Sequence, residues 1–494
     1  MTTEQSSEAS DSSATAGLPV SSSPAGPEPD LAEGDFARDS GATSLRDYAV
    51  DYIQRVRGGE VGALPAILGL IVLGLIFTIA SDRFLSVANL ANLVQQSGIT
   101  VFIAMGLVFV LLLGEIDLAA GTASGVCAAI MGLAVTKQGD LRTALGTPTW
   151  LVVLLFMVAA IVVASLSRLW YAVGIVAIGV VMIAFHLGTS TQVGAIYLAI
   201  ATGVAIGTLT GFLVARVGIP SFVVTLALFL GWQGVLLQFI GNGSAISVGN
   251  YNIINGISNG NLPPVWGWVF YVVLVGGYIA FTVVRSIRRR AEGLSAEPLV
   301  LVLIRGGILA VIGAVALALL NQDRSPNPNF PIAGVPYVLP LILLFMIFWT
   351  FILNRVRFGR YVYAVGGNAE AARRAGIELS RIRIACFAIG SGMAAIGGIA
   401  QASRLGSIPS DAGGGNTLLY AVAAAVIGGT SLFGGRGRAR DAVIGGIVIA
   451  MIPNGLGLLP NLPSSANFII TAIVLLVAAS VDALSRRRAA ATGR

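Results

Sequence analysis

The sequence predicts an all-α, polytopic transmembrane helix bundle of about fourteen spans (twelve to fourteen), with both termini cytoplasmic. Three observations carry this. Mean hydropathy is +0.86 over 494 residues, with 56% hydrophobic and only 11% charged; soluble domains carry about 25% charged residues. No soluble core could bury so much apolar chain. Apolar segments of near-crossing length recur from residue 63 to residue 482,. Finally, the arginines gather in alternate gaps between those segments, as they do in loops that stay in the cytoplasm,.

Residues 1–45 are rich in Ser, Thr, Ala, Pro and Gly, hold eight acids and one arginine, and show no apolar period. Such a segment cannot bury enough surface to fold and is expected to be a disordered cytoplasmic tail. It also lacks the basic start and apolar core of a signal peptide. Residues 46–62 read as an amphipathic lead-in, 63–484 as the membrane domain and 485–494 as a basic cytoplasmic tail.

The segments fall at 63–80, 98–113, 118–136, 149–165, 170–186, 194–215, 221–240, 265–284, 299–320, 337–353, 383–403, 416–433, 440–459 and 466–482. With the N-terminus inside, the inner gaps hold Arg168, Arg216, Arg285, Arg288–Arg290, Arg436, Arg438, Arg440 and Arg486–Arg488. The longest outer gap, 241–264, has neither Lys nor Arg but several amides, which suits docking of a neutral soluble partner or a plain turn-rich loop. Segments 98–113 and 416–433 fit the scheme least well and could be broken or re-entrant elements lying against protein. The 62 glycines suit helices that approach closely without a hydrophobic drive between them,. Cys127 and Cys386 lie in apolar runs as packing residues,. Positive charge confined to short loops marks topology and gives no reason to invoke nucleic acid.

The polar interruption at 354–383 carries seven arginines: Arg355, Arg357, Arg360, Arg373, Arg374, Arg381 and Arg383. Its middle, Asn368 to Ala375, is Ala-rich and suited to a short helix, with Gly376 as its stop,. Such a helix on the inner face is what a cytoplasmic partner would grip; the plainer reading is a solvated anchor loop. At Gly114-Glu115-Ile116-Asp117-Leu118, two carboxylates stand between apolar runs. Either they line the path, since charge at membrane depth needs a cavity or a partner, or Asp117 caps the next helix. The glycine-dense run 428–438 lacks a phosphate-loop pattern and reads as a tight turn ended by arginines,. Gly114, Leu118 and Gly121 echo Gly428, Leu432 and Gly435, a thin sign of repeated halves,.

Four blocks stand in order along the chain: Gln95-Gln96-Ser97-Gly98-Ile99 leading into 114–118; 218–226 (Gly218-Ile219-Pro220-Ser221-Phe222-Val223-Val224-Thr225-Leu226); 363–373; and 423–438, with Asn454-Gly455-Leu456 beyond. Together they resemble the permease subunits of bacterial sugar ABC importers, the group for ribose, xylose and related sugars. The resemblance covers about 85–480. It implies a non-catalytic subunit of the bacterial plasma membrane, paired as a homodimer in the bilayer without cofactor or metal. It also implies a cytoplasmic ATPase partner and an extracytoplasmic sugar-binding protein. Gly366, Gly367, Asn368, Glu370, Ala371, Ala372, Arg373 and Gly376 become the coupling element that meets the ATPase. Glu115, Asp117, Thr225 and Asn454 become candidates for the translocation path. Extra apolar segments near 149–186 and 299–320 make the chain most like the longer xylose-type permeases. Glu115 departs from the family, standing where a glycine is more usual. The alternative is an ion-coupled secondary transporter of a neutral solute. That chemistry needs ionisable groups within spans, and Glu115, Asp117, His186 and Arg305 are the candidates.

Overall fold

A computed structural model describes residues 64–292 and 298–460, apart from 326, 328 and 330, with isolated positions between 465 and 480. The tail 1–45, the lead-in 46–62, the basic end 485–494 and most of 466–482 lie outside the described residues. The chain is built almost wholly of helices. They are α1 (Leu64–Ala80), α2 (Val87–Leu112), α3 (Ala120–Thr136), α4 (Thr147–Leu166), α5 (Trp170–Phe185), α6 (Gln192–Phe212), α7 (Ser221–Ile240) and α8 (Asn252–Asn259). There follow α9 (Pro264–Ala291), α10 (Leu299–Leu320), α11 (Val338–Arg355), α12 (Arg357–Gly367), α13 (Ala369–Arg374), α14 (Leu379–Leu405), α15 (Thr417–Ile427) and α16 (Ala439–Gly457). Two short antiparallel pairs join loops: β1 (Ala245–Ser247) with β4 (Ser407–Pro409), and β2 (Asn261–Leu262) with β3 (Val335–Pro336).

Among the described residues, nine helices are long and apolar enough to cross a membrane, and α1, α3, α5 and α15 are shorter apolar helices. Two expected segments come out differently. The run 98–113 is the second half of a continuous 26-residue helix, α2, so it is not broken. The polar start hid its first three turns, which Ser86 caps by accepting the Asn89 N–H at 3.3 Å. By contrast 416–433 is helical only over the 11 residues of α15, about 16 Å,, roughly half of a bilayer core.

The centre is α2, α3, α6, α14, α15 and α16, and glycines set how closely these pack. On α6, Gly203, Gly207 and Gly211 recur every four residues against α14. A Cβ at these positions would come within 2.6 Å of Ser391 O, 2.1 Å of Phe387 O and 2.7 Å of Ile384 Cα. That is the small-residue seam by which membrane helices associate. Around this centre α1, α4, α9 and α10 show outward rows of exposed apolar side chains, among them Ile79, Leu155, Val273 and Val311. Apolar faces of this extent mark contact with lipid or with another protein. The protein is a multi-pass membrane protein.

The contacts give the bundle two distinct ends. Arg216 pairs with Glu378 at 3.0 Å, Arg381 donates to Arg168 O at 3.0 Å, and Arg383 lies 3.4 Å from Glu115. These join the turns after α6, α4 and α2 to the start of α14 at one arginine-rich end. The strand pairs and the loop 241–263 form the opposite end.

Candidate functional site

At the arginine-rich end the chain turns sharply out of α12 at Asn368 and runs into α13. The Asn368 side chain accepts the Ala371 N–H at 2.9 Å, the ordinary start signal of a helix,. Eight residues later Gly376, at φ +83°, stops it, and Ile377 N–H donates back to Ala372 O at 3.0 Å,. Glu370 reaches Arg373 at 2.9 Å and Arg374 at 3.3 Å. These exposed pairs add little stability. What holds α13 is its inner face, where Ala372 is buried (4% exposed) in the main apolar cluster and Ile377 packs against the same cluster. Glu370, Ala371, Arg373, Arg374, Ala375 and Gly376 face outward.

Two details correct the sequence reading of 366–376. It is not one element: Gly366 and Gly367 end α12, and only Ala369–Arg374 forms the short helix. Ala372, expected on the partner-facing side, points into the protein's own core.

The four expected path residues are all engaged in holding the bundle. Glu115 is the counter-ion of Arg383, a contact at 3.4 Å that lies off the hydrogen-bonding direction, so Arg383 Nε gains a charge neighbour without a formed bond. Asp117, 2% exposed, accepts the Ala119 N–H at 2.9 Å and sits over the start of α3. Burial pushes its carboxyl up to about 6, against the opposing pull of the Ala119 and Ala120 N–H groups. This is the capping role. Thr225, fully buried, donates to Ser221 O at 2.8 Å. Asn454 exchanges two amide bonds with Asn89, at 2.9 and 3.0 Å, tying α16 to α2.

That amide pair gives a direct expectation. Asn89→Leu or Asn454→Leu alone strands the other buried amide and should lower stability by about 1 kcal/mol, the scale of such bonds between membrane helices. The double variant should recover much of the loss, since removing both partners of a buried bond is nearly neutral. A double-mutant cycle of thermal unfolding in detergent reads this; additive losses would show that the pair is not coupled.

A second polar region lies at the other end, and sequence reading missed it. After pairing with β1, β4 does not enter a helix. Residues 410–416 descend along α3 as turns before α15 begins. Gly132 of α3 packs by Ile408, whereas Gly121 and Gly125 pack by Gly413 O and Ala412 O. Eleven residues of helix separate these levels, a descent of about 16 Å. Irregular backbone at such depth is tolerated where protein or a cavity covers it. Two amides do this: Gln401 of α14 accepts the Gly413 N–H at 3.2 Å, and Gln233 of α7 donates to Ser410 O at 3.2 Å. Each amide uses one end only, so among the described residues the Gln401 amide nitrogen and Gln233 Oε1 stay unengaged. Asn416, which donates to the Tyr420 hydroxyl at 3.4 Å, and the exposed Asp411 add further polar groups to this segment. The signal was present in the sequence, as single glutamines inside apolar runs.

Comparison with known proteins bears on the family. The family described as branched-chain amino acid transport system / permease component matches residues 170–478. The xylose transport system permease protein XylH of Escherichia coli (strain K12) is 31% identical over 423 residues, covering 85% of this chain and 92% of that protein. XylH of Haemophilus influenzae is 30% identical over 425 residues, covering 85% and 96%. The ribose import permease protein RbsC of Escherichia coli (strain K12) is 28% identical over 421 residues, covering 84% and 92%. No solved structure matches the chain.

Proposed function

The chain belongs to the family of ABC-transporter permease components that holds the xylose and ribose permeases, and from that premise we propose that it forms the sugar path of an ATP-driven importer for a pentose of xylose type. A separate cytoplasmic ATPase drives it through the outward face of α13, and the path runs along the discontinuous element 407–427. The observation that carries this is α13 itself. It is a capped helix at the arginine-rich end, pinned by Ala372 beneath and presenting Glu370, Ala371, Arg373 and Gly376 above. The half-used amides of Gln401 and Gln233 suit a neutral polyhydroxylated solute, because they exchange for sugar hydration without stranding a charge. The loops at the opposite end receive a sugar-loaded binding protein. The protein works as a dimer in the bacterial plasma membrane, and the helices α4, α5 and α10 account for its extra length.

Proton or sodium coupling finds less support. Glu115 is paired with Arg383, Asp117 is committed to the start of α3, and His186 sits at a turn with Nδ1 3.2 Å from Gly139 O. Reconstitution into liposomes separates the two readings. Uptake of labelled xylose or ribose is expected only with the ATPase, the binding protein and internal ATP; uptake driven by an ion gradient in the permease alone would overturn the importer reading.

A further inference from the structure

Three segments meet backbone to backbone beneath α13. Gly435 N–H donates to Leu112 O, at the end of α2, at 2.8 Å. A Cβ on Gly366 would lie 1.8 Å from Leu112 O and 2.8 Å from Gly435 N; one on Gly434 would lie 2.9 Å from both Gly114 N and Gly366 O. One helical turn before Gly366, Tyr363 donates its hydroxyl to Gly437 O at 2.7 Å. The end of α12 is thus locked onto the turn that joins α15 to α16, with no side chain between them.

The contact continues at both sides. Only Gly367 separates Gly366 from the Asn368 cap of α13. On the far side, α15 and α16 touch as closely: a Cβ on Gly428 would lie 1.9 Å from Asp441 O, and one on Gly445 1.8 Å from Ala424 O. The turn is therefore braced against both the half-helix α15 and α16. Packed interiors transmit displacement because they compress little, and a backbone contact has no rotamers to absorb it.

We propose that this node, Gly366 against Leu112–Gly114 and Gly434–Gly435 with Tyr363 as its positioning residue, carries motion of α13 to α15 and so opens or closes the polar segment 410–416. The inference rests on the reading of α13 as the ATPase contact. It assigns the node to coupling, not to holding the fold. A two-state element that both sites bias is what coupling physically requires, and in this proposal that part falls to α15, which is helical over half a span only.

The test uses the full-length permease, reconstituted with its ATPase and binding protein, as wild type, Tyr363→Phe and Gly366→Ala. Labelled xylose or ribose uptake and phosphate release are measured together. Tyr363→Phe, which removes one hydroxyl, should leave ATPase co-purification and hydrolysis near wild type but lower sugar moved per ATP about threefold to tenfold, the range of one hydrogen bond. Gly366→Ala should lower it further. If Gly366→Ala fails to assemble, Tyr363→Phe decides alone by the same ratio. An unchanged ratio in Tyr363→Phe, or hydrolysis and uptake falling in step, would overturn the node while leaving the importer intact. A wild-type protein that neither carries an ATPase nor moves sugar with ATP would overturn the importer reading and the node with it.

Discussion

Ala372→Asp is expected to abolish ATP-driven sugar uptake. Ala372 is 4% exposed on the underside of α13, within the main apolar cluster. An uncompensated buried charge costs about 3–5 kcal/mol, more than a six-residue helix seated by Ala372 and Ile377 can resist. The helix should leave its seat instead of burying the carboxylate, and the surface offered to the ATPase should go with it. The long helices do not depend on this contact, so membrane insertion and the yield of folded protein in detergent should stay near wild type. Ala371→Asp is the matched comparison. It places the same charge on the outward face, should leave α13 seated, and should weaken ATPase co-purification by less. Normal uptake by Ala372→Asp would show that α13 does not need its seat, and the coupling reading would lose its physical basis.

The placing of Ala372 shows where sequence reasoning runs out. Asn368 and Gly376 announce the helix and its two ends, because start and stop signals are local chemistry. Which alanine of Ala369-Glu370-Ala371-Ala372 turns inward is not local. With less than two turns there is no apolar period to read, and the choice is made by the cluster below. The same limit explains α2. Its first turns, with Asn89, Asn92, Gln95 and Gln96, look too polar to span a bilayer. Their partners lie far along the chain: Asn454 takes Asn89, and Arg404 donates to Asn92. A buried amide satisfied by a distant residue is invisible in hydropathy. The opposite error occurs after Ile427, where Gly428 to Gly435 keep hydropathy high although the backbone has left the helix and turned. Glutamines 233 and 401 were legible as polar residues in apolar runs, but an all-round apolar helix gives no sign of which face they occupy.

For Gln401 the structure permits a sharper expectation than for any residue chosen from sequence. Gln401→Glu keeps an oxygen able to accept the Gly413 N–H, so the descent of 410–416 should survive. It replaces the unengaged amide nitrogen, a donor, with a second acceptor that carries charge. A sugar hydroxyl then loses its donor. Arg404, three residues on along α14, is held by the neutral amides of Asn92 and Asn259 and would have to leave them to pair with the new carboxylate. A carboxylate held at such depth costs about 2.5 kcal/mol or more unless it is hydrated or protonated. Sugar uptake should fall by at least about tenfold, the equivalent of 1.4 kcal/mol, while ATPase co-purification stays intact because α13 is at the other end of the bundle. Gln233→Leu, which removes the second half-used amide, should act in the same direction, with a smaller loss. Uptake at wild-type rate in both variants would move the path away from the discontinuous element, whereas loss of ATPase binding in Gln401→Glu would mean that the residue holds the fold and does not meet the sugar.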